Sequence, residues 1–379
     1  MARTFPIWTL RVAVGVIAVV AVVWVAASWF HANAIRSEFL IPSSHADGLE
    51  FEVLSMEAGR VVLPRAPETV REGVWGMRGS DTYAQVSTIV RITDDTVERG
   101  VRMLEGEAST GDVVRMDIDA FTGDPLTSHS LGYEDLVIPA DIGPHPGWFI
   151  DGRRSTWILF VHGRGDERLP ESLRIIPSLV EAGYPVMVMA YRNDVGATAS
   201  DGGMRLWGLE EWMDVDAAIA LGQRRGARDF VIVGSGFGAS VVSMFLHESD
   251  QIAAVRGVIY DSPVIDFEEV VRNWSGDAGT SRAVGWLGRR LATVRFGVDW
   301  RDLDQTKRVD EFDVPMLIMV GGEDTVSDPD ATRDFADAVG DRVTFTRFEQ
   351  GGHTDLWNID QIRYEATVRN WLLDLIGTE

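Results

Sequence analysis

Three glycine-rich turns carry side chains whose types could do chemistry. Phe230–Gly238 reads FVIVGSGFG, an apolar run entering a turn that holds Ser235, followed by a helical stretch at Ala239–Leu246. Pro315–Val326 reads PMLIMVGGEDTV, a second apolar run that ends in a turn holding Asp324. Gly351-Gly352-His353 forms a third turn, and His162-Gly163 closes the apolar run Trp157–Val161. Hydroxyl, carboxylate and imidazole are the groups used for nucleophilic attack, for orienting a base and for moving a proton. The chain has no cysteine, which excludes disulfides, thiolate metal sites and a cysteine nucleophile. No metal or cofactor is expected.

These turns need a framework to bring them together. From about residue 133 the chain alternates short apolar runs with helical spacing: Trp157–Val161, Val186–Ala190, Phe230–Val233, Gly257–Tyr260 and Met316–Val320 are separated by helices such as Pro170–Ala182 and Leu209–Leu221, and Asn358–Ile376 closes the chain. Short apolar runs between helices imply an α/β fold with a mostly parallel central sheet covered on both faces. Residues 133–379 are therefore expected to form one α/β domain. Residues 49–130 are expected to form a small β-rich domain: Val114, Met116 and Ile118 alternate with Arg115, Asp117 and Asp119, as a half-buried strand requires, and Gly-Asp pairs mark turns.

The N-terminus carries a different signal. From Val12 to Phe30 no residue is charged, and a bilayer core needs roughly 20 apolar residues in helix. Trp8, Trp24 and Trp29 stand near the two ends of this stretch. Arg3 and Arg11 precede it, while Arg36 is offset by Glu38. The expectation is a cytoplasmic N-terminus at residues 1–11, a transmembrane helix at 12–30, a polar linker at 31–48 and an extracytoplasmic body held at the cell membrane. The competing reading is a cleaved signal peptide, with Ala32-Asn33-Ala34 as the cleavage site. The net charge of −23 argues against nucleic acid as a partner.

Taken together, the strand and His-Gly turn at Trp157–Gly163, the strand–turn–helix at Phe230–Gly238, the Asp324 loop and the Gly-Gly-His353 turn resemble the α/β-hydrolase superfamily, in its order of elbow, acid and histidine. The resemblance implies an esterase, lipase or peptidase type of activity, with Asp324 as triad acid and His353 as triad base. The oxyanion donors would be the N–H groups of Phe237 and of Arg164, the residue after Gly163. Stretches near 266–310 often form a cap in this superfamily. Here that stretch carries Phe267, Trp274, Trp286 and Trp300 among Arg289, Arg290 and Arg295, which suits an apolar or acyl small-molecule ligand.

The sequence departs from the pattern at the nucleophile. In Gly234-Ser235-Gly236-Phe237-Gly238 the position that serine should hold is Gly236. Ser235 is one residue early and could act only if the turn shifted. Three readings stay open: a hydrolase with an unusual nucleophile, a pseudoenzyme that binds a ligand or protein, and cofactor-free chemistry in which a His-Asp pair acts as base. In plainer readings Asp324 caps its turn and His353 is a loop histidine. Likewise, the Arg164, Asp166, Glu167 and Arg168 cluster is a solvated loop, and Tyr191-Arg192-Asn193-Asp194 is structural.

Overall fold

The computed structural model describes residues 7–42, 50–57, 59–164 and 169–377. The chain opens with a long helix, α1 (Ile7–Ile35), that continues as a π-helical turn at Arg36–Leu40. Its apolar face from Val12 to Val25 is exposed, and it is long and apolar enough to cross a membrane. Residues 31–40 correct the expected linker. They stay helical because they are packed: Ala32, Ile35 and Leu40 are fully buried, the Trp207 indole N–H donates to the Phe39 carbonyl, and the Arg205 N–H donates to that of Leu40. Arg3 lies outside the described residues.

The β-rich region is a single antiparallel sheet of seven strands, β1 (Glu50–Glu52), β2 (Ser55–Glu57), β3 (Arg60–Pro64), β4 (Trp75–Arg78), β5 (Tyr83–Ile92), β6 (Thr96–Glu105) and β7 (Val113–Asp117), in the order β1-β7-β4-β5-β6-β3-β2. One face buries Phe51, Val61, Leu63, Trp75, Met77, Val86, Val97 and Val114. Arg99 is also fully buried. Its guanidinium donates to the carbonyls of Ser87, Thr69, Arg71 and Gly73, and burial pushes its pKa down to about 10.

A short helix, α2 (Pro125–His129), leads into the second sheet. Its strands are β8 (Glu134–Ala140), β9 (Gly143–Ile150), β10 (Thr156–Val161), β11 (Val186–Met189), β12 (Asp229–Ser235), β13 (Val255–Asp261), β14 (Met316–Gly321) and β15 (Val343–Phe348). Their order is β15-β14-β13-β12-β10-β11-β9-β8. β8 and β9 are antiparallel and the remaining strands run parallel, apart from the antiparallel β9–β11 pair. β10, β11, β12 and β14 are buried throughout, which is why their central residues are apolar on both faces. The connecting helices are α3 (Ile176–Glu181), α4 (Trp212–Arg224), α5 (Phe237–Glu248), α6 (Phe267–Asp277), α7 (Arg282–Phe296), α8 (Pro329–Val339), α9 (Leu356–Ile359) and α10 (Gln361–Ile376). The helix expected at Pro170–Ala182 begins instead as a 3-10 turn, Leu169–Arg174.

Helices α6 and α7 lie between β13 and β14, in the stretch expected as a cap. An isolated bridge between Asp266 and Asp304 closes its base. The two sheets meet at Asn358, which is buried: its side-chain amide donates to the Val74 and Ile118 carbonyls at 2.7 and 2.8 Å, and its own carbonyl accepts from Val74 N–H. Gly73, with φ +95°, is required there, because a Cβ would fall 1.9 Å from that carbonyl oxygen.

Candidate functional site

β12 delivers the sharp turn. The helix α5 packs so closely on β12 and β10 that a Cβ on Gly234 would lie 2.8 Å from Ala239 Cα, and one on Gly238 would lie 2.2 Å from the Val161 carbonyl oxygen. Between them Gly236 adopts φ +49°, ψ −111°, a conformation that side chains of L-residues rarely enter. Its N–H donates to the Asp261 carbonyl at 2.8 Å, which ties the turn to the end of β13.

β14 delivers Asp324. One carboxylate oxygen accepts N–H groups from Val326 and Ser327, both at 2.8 Å, and the other faces His353 Nδ1 at 3.0 Å. The Asp324 side chain is fully buried. A carboxylate against Nδ1 holds the imidazole in the tautomer with its proton on that atom, leaving Nε2 as an acceptor. Nε2 stands 3.1 Å from where a Cβ on Gly236 would be. The structure thus brings Asp324, His353 and Gly236 together. Two neighbours are held at positive φ, Ser262 at 52° and Thr354 at 56°. The Thr354 N–H donates to the Ser262 hydroxyl at 3.0 Å, fixing the histidine loop on β13.

The structure does not bring Ser235 to His353. The Ser235 hydroxyl points to the other face of the sheet and donates to Glu171 Oε1 at 2.5 Å, buried with Phe160, Asp261, Trp357 and Tyr364. Glu171 also accepts the Gly163 N–H at 2.8 Å and pairs with Arg174 at 3.2 Å. Arg174 in turn donates to the Thr354 carbonyl at 2.8 Å and to Asn358 Oδ1 at 2.9 Å. This Glu171–Arg174 pair was not legible in the sequence, where both residues read as ordinary polar positions on a helix.

A pocket of about 600 Å³ lies over Gly236 and His353. Phe237 and Thr354 share its floor, and Gly163 and Arg164 form one wall. Val270, Asn273, Trp274 and Asp277 come from the cap, and Trp207 adds an indole. Two contributors were not anticipated: Ile118 from the end of the β-rich region, and Glu38 with Phe39 from the extension of α1. Arg164 reaches Glu38 at 3.6 Å. Of the charged cluster that follows it, Asp166, Glu167 and Arg168 lie outside the described residues. His162 is buried, donates its Nε2–H to the Asp194 carboxylate at 2.8 Å and stacks on Tyr191, a structural arrangement. Arg192 is likewise buried against Asp214.

Comparison with solved structures gives the fold its place. The Pyrococcus furiosus esterase Pf2001 superposes with a TM-score of 0.54 at 18% identity, covering 68% of this chain and 98% of that one. A Mycobacterium tuberculosis puromycin-hydrolysing peptidase superposes with a TM-score of 0.52 at 16% identity, over 86% of this chain and 48% of that longer one. The second sheet with its helices therefore has the α/β-hydrolase fold. A family described as a domain of unknown function (DUF8805) matches residues 52–117, within the β-rich region. No curated protein matches the sequence.

Proposed function

We propose that this chain is a membrane-anchored pseudoenzyme that uses a hydrolase-type pocket to bind an acyl-containing small molecule. The observation that carries this reading is Gly236 at the elbow: the residue below the acceptor nitrogen of His353 has no hydroxyl, and the adjacent Ser235 hydroxyl is committed to Glu171 on the opposite face. The fold shared with an esterase and a peptidase supports a pocket of hydrolase type. Phe39, Trp207, Phe237, Val270 and Trp274 suit an apolar chain. A carboxylic acid at its end would donate its proton to His353 Nε2 and turn its carbonyl oxygen toward the main chain of Arg164 and Phe237.

The same reading places α1 across the cell membrane with the body outside. Its length and uncharged face support a span. The buried positions of Ser28, His31 and Ala32 weigh against cleavage after Ala34, which would strip packed turns from the body.

The test is direct. Native protein is expected to leave fluorophosphonate and p-nitrophenyl acyl esters untouched while binding a pyrene-labelled fatty acid, and Val270→Trp is expected to abolish that binding by filling the pocket. A second reading, water activated by His353 as a general base, is favoured by the 3.0 Å contact between His353 and Asp324. Ester turnover by the native protein that disappears in His353→Ala would replace the first reading with the second.

A further inference from the structure

The chain is strongly acidic, with a net charge of −23, yet the cap helix α7 reads RAVGWLGRRLATVRF, with four arginines and no acidic residue. Two of these arginines are engaged. Arg289 donates to Glu268 at 2.9 Å, and Arg295 donates to Asn33 Oδ1 at 2.7 Å and lies 3.6 Å over the Trp29 ring. The inner side of α7 is thereby bound to α1, with Gly288 so close to His31 that a Cβ would fall 2.6 Å from the ring. The outer side carries Arg282, Trp286, Arg290 and Val294, four residues apart and so on one stripe of the helix. Trp286 is 51% exposed and Val294 84%. The Arg290 guanidinium stands 5.9 Å from the Trp286 ring. Among the described residues neither Arg282 nor Arg290 has an ion-pair partner.

We propose that this stripe lies on the anionic phospholipid headgroups of the bilayer that α1 crosses. The proposal rests on the reading of α1 as a membrane span. The contacts of α7 with α1 fall at Trp29, His31, Asn33 and Arg36, at and just past the end of the uncharged stretch, where the helix would leave the hydrocarbon. Tryptophan and arginine are the side chains that favour that depth, the indole at the headgroup level and the guanidinium on phosphate. Charge complementarity is local: the net acidic charge of the body opposes contact with an anionic surface, and this stripe offers basic side chains to it. Helix α6, which lines the pocket, packs on the same corner, with Trp274 stacked on His31 and Ser275 hydrogen-bonded to it at 3.0 Å. The pocket roof is then held between the span and the membrane surface.

The absence of cysteine makes the test clean, since one introduced cysteine is a unique label. Full-length Val294→Cys and a reference, Val90→Cys on the β-rich sheet, would each carry a nitroxide and be reconstituted into phosphatidylcholine vesicles with or without phosphatidylglycerol. Collisions with lipid-soluble oxygen and with a water-soluble nickel chelate report depth. In anionic vesicles residue 294 is expected to be shielded from the chelate at least fivefold relative to residue 90. A factor of about five is what one arginine near an anionic surface supplies, about 1 kcal/mol. Arg282→Gln with Arg290→Gln, or removal of phosphatidylglycerol, is expected to abolish the shielding. Equal exposure of residues 294 and 90 overturns the proposal, as does shielding that is the same in neutral vesicles. Shielding in native membranes but not in vesicles would overturn it in favour of a protein partner. Flotation after alkaline carbonate separates the two readings. Protein that fails to float removes the span and this proposal with it, whereas protein that floats with residue 294 exposed removes this proposal alone.

Discussion

Placing a hydroxyl at the elbow by Gly236→Ser tests whether the surrounding site can accommodate and use one. At φ +49°, ψ −111° a non-glycine residue costs about 1–3 kcal/mol in backbone strain. A Cβ there would lie 3.1 Å from both His353 Nε2 and Thr354 Cγ2, inside ordinary van der Waals contact. The two neighbours differ in their freedom. His353 is 27% exposed and anchored through Nδ1 alone, so its ring can withdraw by a few tenths of an ångström. Thr354 cannot follow, because its N–H is held by Ser262 and its carbonyl by Arg174. Strain and crowding together come to about 2–4 kcal/mol, and at about 2–4 °C per kcal/mol for a domain of this size the melting temperature should fall by roughly 4–16 °C. The variant is expected to label with a fluorophosphonate dye on a gel, the native protein not, and Gly236→Ser with His353→Ala not. A folded Gly236→Ser that stays unlabelled would refute the idea that the remaining machinery is intact. An unchanged melting temperature would refute the strain argument. Labelling of native protein that is lost in Ser235→Ala would refute the pseudoenzyme reading.

Three further outcomes test the surroundings. Ser235→Ala removes a buried donor from the Glu171 carboxylate and should lower stability by about 1.5–3 kcal/mol, read as a lower urea midpoint, with fluorophosphonate reactivity still absent. Burial raises the Asp261 pKa to about 6, against the opposing pull of Arg174 and the Tyr364 hydroxyl. Such a group adds stability when protonated and loses it as pH rises through 6. Native protein should therefore gain about 1.3 kcal/mol relative to Asp261→Asn between pH 7 and pH 5, seen as a difference in the pH dependence of melting. Asn358→Ala leaves the Val74 and Ile118 carbonyls and the Arg174 guanidinium each short of a partner. It should cost at least about 3 kcal/mol and open the segment between the two sheets to limited proteolysis.

How much of this was readable in the sequence follows from where each residue's contacts lie. β10, β12 and β14 announce themselves because both faces are buried and their central positions, Trp157–Val161, Phe230–Val233 and Met316–Val320, are all apolar. Gly234 and Gly238 announce the elbow because helix packing there tolerates no Cβ. Asp324 and His353 stand out because glycine turns at strand ends present them. What stayed hidden depends on partners distant in sequence. Arg36–Leu40 looks like linker and becomes helix only because Phe39 and Leu40 meet the cap and the loop at Arg205–Trp207. Glu171 carries no mark that it will be buried beneath the elbow, and Ile118 gives no hint of reaching the pocket from another sheet. Local periodicity cannot encode such contacts.

The Glu171–Arg174 pair also bears on what an intact His–Asp pair means here. Glu171 holds the elbow through Ser235 and the oxyanion-side turn through Gly163, while Arg174 holds the histidine loop through the Thr354 carbonyl. All three segments of the site are thus cross-linked on the face of the sheet opposite the pocket, by a buried ion pair whose disruption would cost about 3–5 kcal/mol. None of those bonds involves a side chain at residue 236, so they do not depend on a hydroxyl there. Folding alone is then sufficient to keep His353 poised over Gly236, and the geometry of His353 and Asp324 is not by itself evidence of turnover. The discriminating feature is the residue at 236 and the space above it. That is why the reading turns on a glycine and not on the two polar side chains beside it.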